Sequence, residues 1–245
     1  MIPAWMSRSE LLLGASVLEE LMKKHVLVVG LGGVGGICAE MIVRAGVGKI
    51  TIVDADTVDI SNTNRQIAAL HSTVGKVKAE VLAERLKDIN PDLLLEVVPQ
   101  YLKDELVDEV VGRHKYDYAV DCIDTLGPKV AFLKACLDHG IPVVSSLGAG
   151  GRVDPSKVKV ADISKTFGCN LARYVRKRLK NQGVKRGFQA VFSTEKIDDS
   201  KVIVTEKAFP KKSLIGTISY MPAIFGCTVA SVVVRGLYQV NEEIE

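Results

Sequence analysis

The sequence has 245 residues, 47% hydrophobic and 25% charged, enough chain to bury one large core or two small ones. Its formal net charge of +3 is too mild to mark a nucleic-acid binder by itself, so the distribution of charge has to decide. Five cysteines, at 38, 122, 136, 169 and 227, form an odd set without CxxC spacing. That excludes a CxxC zinc site, argues against a disulfide framework and favours a reducing, cytoplasmic setting.

The opening MIPAWMSRSE has no continuous apolar core behind a basic flank and does not resemble a signal peptide; residues 1–24 read as a helical arm. Apolar runs then alternate with helix-like segments: strand 26–29, helix 34–45, strand 50–53, helix 75–89, strand 94–98, helix 103–112, strand 117–121, helix 128–139, strand 142–145. Asn90-Pro91 ends the fourth of these segments, and His139-Gly140 ends the eighth. This rhythm predicts an α/β fold, a Rossmann-like doubly wound sheet covered on both faces. Beyond 150 the strands shorten (157–162, 188–193, 217–220) around a basic helix at about 170–180, which predicts an antiparallel continuation of the same sheet. We expect one domain over 1–245, with a nucleotide-binding half at 25–150 and a substrate-binding half at 151–245. Segments 181–187 and 198–212 read as flexible, of a length that often serves function. The uncharged 17-residue stretch 218–234 falls short of the ~20 residues of a spanning helix, and Pro222 and Gly226 break its first half. A buried core helix is expected there, rather than one that touches a membrane.

The stretch VGLGGVGG, from Val29 to Gly36, follows a strand and opens a helix. Gly30, Gly32 and Gly35 satisfy G-x-G-x-x-G, in which a tight turn and bare backbone let a phosphate approach a helix N-terminus. Asp54, at the end of the second strand, is the acid a nicotinamide site would want, so a dehydrogenase and an ATP user stand level at this point, with a ligand-free glycine turn behind them. The polar run DADTVDISNTNRQ, holding Asp54, Asp56, Asn62, Arg65 and Gln66, breaks the tie. A dinucleotide enzyme does not need it. ATP-dependent activation of a carboxylate does, because an anion must attack the α-phosphate of a polyanion and cations must offset the repulsion. Arg65 and Lys78 suit that role, and Asp124, just past the strand at 117–121, stands at the carboxyl edge of the sheet where an acid would hold Mg²⁺. No general base is required, since the attacking carboxylate is already ionised. Singly these charges read as solvated surface; together at strand ends they read as a site.

With RSELLLG, VGLGGVGG, VDADTVDISNTNRQ, GKVKAE, INPD and DCIDT, the chain resembles the HesA/MoeB/ThiF group of ubiquitin-activating-enzyme-like adenylyltransferases from Arg8 to about Ser193. The resemblance implies that Gly32 and Gly33 contact ATP, that Asp54 holds its ribose, that Asn62, Arg65 and Lys78 hold its phosphates, and that Asp124 holds Mg²⁺. It also implies a homodimer in which Arg8 crosses to the partner's active site; read without the family, Arg8 is a charge in a mobile terminus.

Members that charge sulfur-carrier or ubiquitin-like tails usually carry paired CxxC zinc ligands, and this chain has none. The segments HSTVGKVKAE, SSLGAGGRVDPSKVKVADISKTFGCNLAR and VFSTEK instead look like the tRNA threonylcarbamoyladenosine dehydratase branch. The implied reaction is adenylation of the threonyl carboxylate of N6-threonylcarbamoyladenosine beside the anticodon, then ring closure with loss of AMP. The alternatives are activation of a protein C-terminal glycine, a silent subunit of an activating heterodimer and, last, a dehydrogenase. A tRNA partner draws support from Arg173, Arg176, Lys177, Arg178 and Lys180 on the basic helix, with Lys185 and Arg186 beyond it, although a solvated helix face reads almost as well. A sulfur-relay or helper protein is left open, as is a monovalent cation near 145–151. Cys169 lacks a visible histidine partner and reads as inert; His71 and His114 read as structural.

Overall fold

A computed structural model describes residues 2–197, 200, 202–204 and 213–238. The strands are β1 His25–Val29, β2 Lys49–Val53, β3 Leu94–Val98, β4 Tyr118–Asp121, β5 Val143–Ser146, β6 Val158–Asp162, β7 Gln189–Ser193, β8 Val202–Val204 and β9 Ser213–Ile215. The helices are α1 Ser7–Leu13, α2 Ala15–Leu21, α3 Gly35–Arg44, α4 Lys78–Ile89, α5 Glu105–Gly112, α6 Leu126–Asp138, α7 Asn170–Lys180 and α8 Tyr220–Tyr238.

Seven strands form one sheet in the order β3-β2-β1-β4-β5-β7-β6. Side chains alternate across it. Val26 and Val28 of β1 point into a core built with α3, α4 and α8, while Leu27 and Val29 point into one built with α5, α6 and α7. Because both faces are covered, the central strands read as apolar runs rather than as polar-apolar alternation. The order reverses between β1 and β4, and at such a switch point the loops leaving the carboxyl ends part and open a crevice.

The doubly wound α/β class is as the sequence predicts, with three corrections in the second half. The antiparallel end of the seven-stranded sheet is the β6–β7 pair, while β7 itself pairs parallel with β5. The strand expected at 217–220 is absent, and β8 and β9 pair with each other in a separate two-stranded sheet. Residues 216–219 are instead irregular and lead into α8 at Tyr220. Finally, α8 runs straight through Pro222 and Gly226. Pro222 stands in the first turn, where its missing N–H is not needed. Gly226 permits close packing, since a Cβ there would come within 2.6 Å of Val34 O and 3.0 Å of Ile37 Cβ on the α3 side. With a mean hydropathy of 1.5 over 18 residues, α8 is long and apolar enough to cross a membrane, yet Met221, Phe225, Val229 and Val233 of one face are buried in the core. Most of the flexible segment expected at 198–212 lies outside the described residues.

Candidate active site

At the switch point β1 ends in Gly30, whose φ of +85° is a left-handed conformation that a Cβ disfavours. A Cβ on Gly30 would approach Cys122 O to 2.7 Å, so the loop after β4 lies directly against the turn. One on Gly35 would overlap Gly30 O, and one on Gly33 would meet Pro222 at 2.9 Å and Arg65 O at 3.1 Å. Gly32 differs. A Cβ there would meet, among the described residues, only the amide nitrogen of Gln66 at 3.8 Å. Internal packing thus explains Gly30, Gly33 and Gly35, whereas the bare backbone at Gly32 is left for something outside the chain, beside the first turn of α3 where helix N–H groups and dipole favour an anion. Gln66 Oε1 is buried without a hydrogen-bond partner, a second group awaiting one.

Asp54 holds this loop in shape. Its Oδ2 accepts from Leu31 N at 2.6 Å, and its Oδ1 accepts from Asp56 N at 2.8 Å. Burial pushes its carboxyl above the usual range, against the opposing pull of Lys78 and the two amides. The Lys78 ammonium, almost wholly buried, lies 2.9 Å from Asp56 and 3.7 Å from Asp54. It opens α4 three residues later than the sequence implies, because 75–77 are drawn into the polar loop: Gly75 N donates to Val58 O, and Thr57 bridges Val77. Asp59 and Asn62 form a capping box in the same loop. Arg65 NH1 donates to Ser61 O and to Asn64 Oδ1, both at 2.8 Å, and no carboxylate among the described residues pairs with it. The result is a largely buried carboxylate, a buried ammonium and a guanidinium without an ion-pair partner among the described residues, on the loops that flank one uncrowded glycine.

Sequence reasoning missed the network beneath this site. Asp121, ending β4, and Lys129 of α6 form a fully buried ion pair at 2.7 Å, with Ser145 Oγ donating to the same carboxylate at 2.6 Å. The pair grips Ile123 from both sides: its N–H donates to Asp121 at 3.1 Å, and its carbonyl accepts from Lys129 at 2.8 Å. That fixes the backbone just before Asp124, which stands exposed at the carboxyl edge of the sheet. The signal was present in an acid closing an apolar strand and a lysine on an apolar helix, but spacing alone does not join them. Arg152 was also missed. It is 1% exposed, bonded to the carbonyls of Gly148, Gly150 and Ser193.

The structure therefore brings together Gly30, Gly32, Gly33, Gly35, Asp54, Asp56, Asn62, Arg65, Gln66 and Lys78, with the loop bearing Asp124 against them. Arg8 is not among them; it lies exposed on α1, a helix with no buried residue. On α7 the face away from Ala172, Val175 and Leu179 carries Arg173, Lys177 and Lys180, with Arg178 at its flank. Arg176 is half-buried and bonds Thr166, which takes it partly out of that surface. Cys169 is buried at the N-cap of α7. His114 pairs with Glu96 and packs on His25 and Tyr116, and His71 is exposed in a short helical turn.

The ThiF family model matches residues 6–245. The chain is a member of the ThiF family. It is 40% identical over 200 residues to the tRNA threonylcarbamoyladenosine dehydratase of Bacillus subtilis, covering 82% of this chain and 77% of that protein. To the Escherichia coli protein of the same name it is 41% identical over 202 residues, covering 78% and 75%. The structure of E. coli tRNA N6-threonylcarbamoyladenosine dehydratase in complex with ATP superposes with a TM-score of 0.86 at 36% identity, over 96% of each chain. This ThiF-family chain is also 33% identical to the E. coli sulfur carrier protein ThiS adenylyltransferase, over 55% of its own length.

Proposed function

We propose that this ThiF-family chain catalyses the ATP-dependent dehydration of N6-threonylcarbamoyladenosine in tRNA. The observation that carries the reading is the assembly of Lys78, Arg65 and the open backbone of Gly32 at the switch point, in a chain about 40% identical to dehydratases of that name. The carboxylate attacks the α-phosphorus of ATP; pyrophosphate leaves, and an acyl-adenylate forms. The neighbouring carbamoyl group then attacks the acyl carbon, AMP departs with the carboxylate oxygen, and the ring closes. Arg65 and Lys78 offset the charge where two anions meet, Asp54 holds the ribose, and Asn62 and Gln66 border the phosphates. The residues fit ATP, since the uncrowded Gly32 leaves room for phosphate and the orphaned acceptor Gln66 Oε1 can take a hydrogen bond from a nucleotide donor such as a ribose hydroxyl or the adenine amino group. Mg²⁺ suits the hard oxygen of Asp124, which would hold it against the phosphates and so lower the cost of their approach. The test is to incubate the protein with ATP, Mg²⁺ and total tRNA from cells lacking it. Loss of one water from the modified nucleoside by mass spectrometry is expected; turnover that depends instead on a small protein with a C-terminal glycine would overturn the reading.

The same reading extends to partners. Arg8, Leu11 and Leu12, spaced i, i+3 and i+4, share one face of α1, and both leucines are more than four-fifths exposed. Such a face fits a homodimer in which Arg8 reaches the partner's site. Arg173, Lys177, Arg178 and Lys180 fit tRNA phosphates, with Arg176 a lesser contributor. Residues 25–150 then serve as the nucleotide half and 151–245 as the substrate half. Five free cysteines and a tRNA substrate support a cytoplasmic setting.

A further inference from the structure

Beside the nucleotide loop lies a cleft of about 480 Å³, walled by Asn64, the turn Gly151–Val153 and the segment Gly216–Ser219. Three features distinguish it from a surface fold. Its wall includes the residue Arg152, 1% exposed, whose guanidinium bonds go, among the described residues, to backbone carbonyls and whose Nε has no partner. No carboxylate among the described residues pairs with that charge. Backbone dipoles satisfy part of the charge, yet a buried cation without a counter-ion carries a large desolvation cost that a bound anion would lower. Asn64 joins the cleft to the nucleotide side, since its Oδ1 accepts from Arg65 and its Nδ2 donates to Thr217 O at 3.0 Å. Lastly, the wall is built to stay open in this shape. Gly151 has a φ of +74° and donates its N–H to Gly216 O at 2.8 Å, and Tyr220 OH donates to Val153 O at 2.9 Å.

We infer that this cleft is the acceptor pocket for the carboxylate-bearing nucleoside, with Arg152 supplying the positive charge that draws the carboxylate in. One side chain, Asn64, separates that carboxylate from Arg65, so the nucleophile enters beside the cation that faces the nucleotide. The pocket's volume suits a single modified nucleoside rather than a helix of RNA, and its charge selects the acid form over plain adenosine. This assignment rests on the dehydratase reading above.

The test uses two variants of the full-length protein, with an anticodon stem-loop RNA carrying N6-threonylcarbamoyladenosine and the same RNA carrying plain adenosine. Arg152→Gln removes the charge, and Ser219→Trp fills the cleft from an exposed rim position just before α8. Each should raise KM for the modified RNA by about tenfold or more and erase the preference in binding for modified over plain RNA, with ATP affinity within about twofold of wild type. An equal loss for both RNAs would assign the charge to backbone phosphate and overturn the pocket. An unchanged KM in the Ser219→Trp protein would overturn it even if Arg152→Gln failed to fold. Wild-type protein that removes no water from the modified RNA would instead remove the dehydratase reading itself, which separates the two failures.

Discussion

The two halves of the sheet handle charge in opposite ways. Around β1, β2 and β4 every buried ion has an opposite within the chain: Lys78 with Asp54 and Asp56, Lys129 with Asp121, and Glu40 with Arg44 and Arg85. Beyond β5, Arg152 is buried with carbonyl partners alone, and no carboxylate among the described residues pairs with Arg173, Lys177, Arg178 or Lys180. The first half pairs its buried ions within the chain and leaves only the half-buried Arg65 guanidinium, among its described site residues, without a carboxylate, a fixed charge of the kind a preorganised anion site needs. The second leaves positive charge for a ligand to neutralise, as fits a polyanionic substrate.

The sharpest break in this comparison is inside the first half. Lys129→Met strands a buried carboxylate and should cost about 3–5 kcal/mol in denaturant unfolding, while Asp121→Asn with Lys129→Met should recover much of it. A loss below about 1 kcal/mol would show that the pair is not closed to water. Next, Arg65→Ala or Lys78→Ala should slow adenylate formation, read as AMP release in a single turnover, by about a hundredfold or more, because each removes a preorganised charge from the transition state. The glycines should then separate: Gly32→Ala should keep stability within about 0.5 kcal/mol yet weaken ATP binding by about tenfold, whereas Gly35→Ala, which sets a Cβ on Gly30 O, should fail to fold stably. In the second half, Arg173→Ala with Lys177→Ala should weaken RNA binding and lower its salt slope by about 1 per lost phosphate contact, with ATP affinity unchanged. An unchanged slope would move the RNA surface elsewhere.

The smallest effect lies at the other end of the strands, away from the site. His25 accompanies His114, Tyr116 and Thr51, and burial, helped by the charges of His114 and Lys49, holds its pKa down to about 4. The unfolded chain takes up that proton near 6.5, so the stability involved is complete above 6.5 and drains away as pH falls towards 4. His25→Phe should flatten the decline of melting temperature across that window; an equally steep decline would assign it to the carboxylates.

Much of the first half of the sheet was legible because its signals are local. A glycine turn between strand and helix, an acid at the next strand end and a polar run behind it are short-range patterns, and the parallel rhythm of the sheet places their ends together. Sequence alone determined the doubly wound class, the glycine loop and the cluster of Asp54, Asn62, Arg65 and Lys78. It failed where contacts join distant segments. Tertiary structure alone decided that Lys129 neutralises Asp121, that Asn64 ties the polar loop after β2 to Thr217, that Pro222 and Gly226 serve a helix instead of ending one, and that 217–220 line a cleft and open a helix instead of forming a strand. The physical reason is that periodicity reports which face of an element is apolar, whereas a buried charge or a crowded glycine is explained only by the atoms that another part of the chain brings to it.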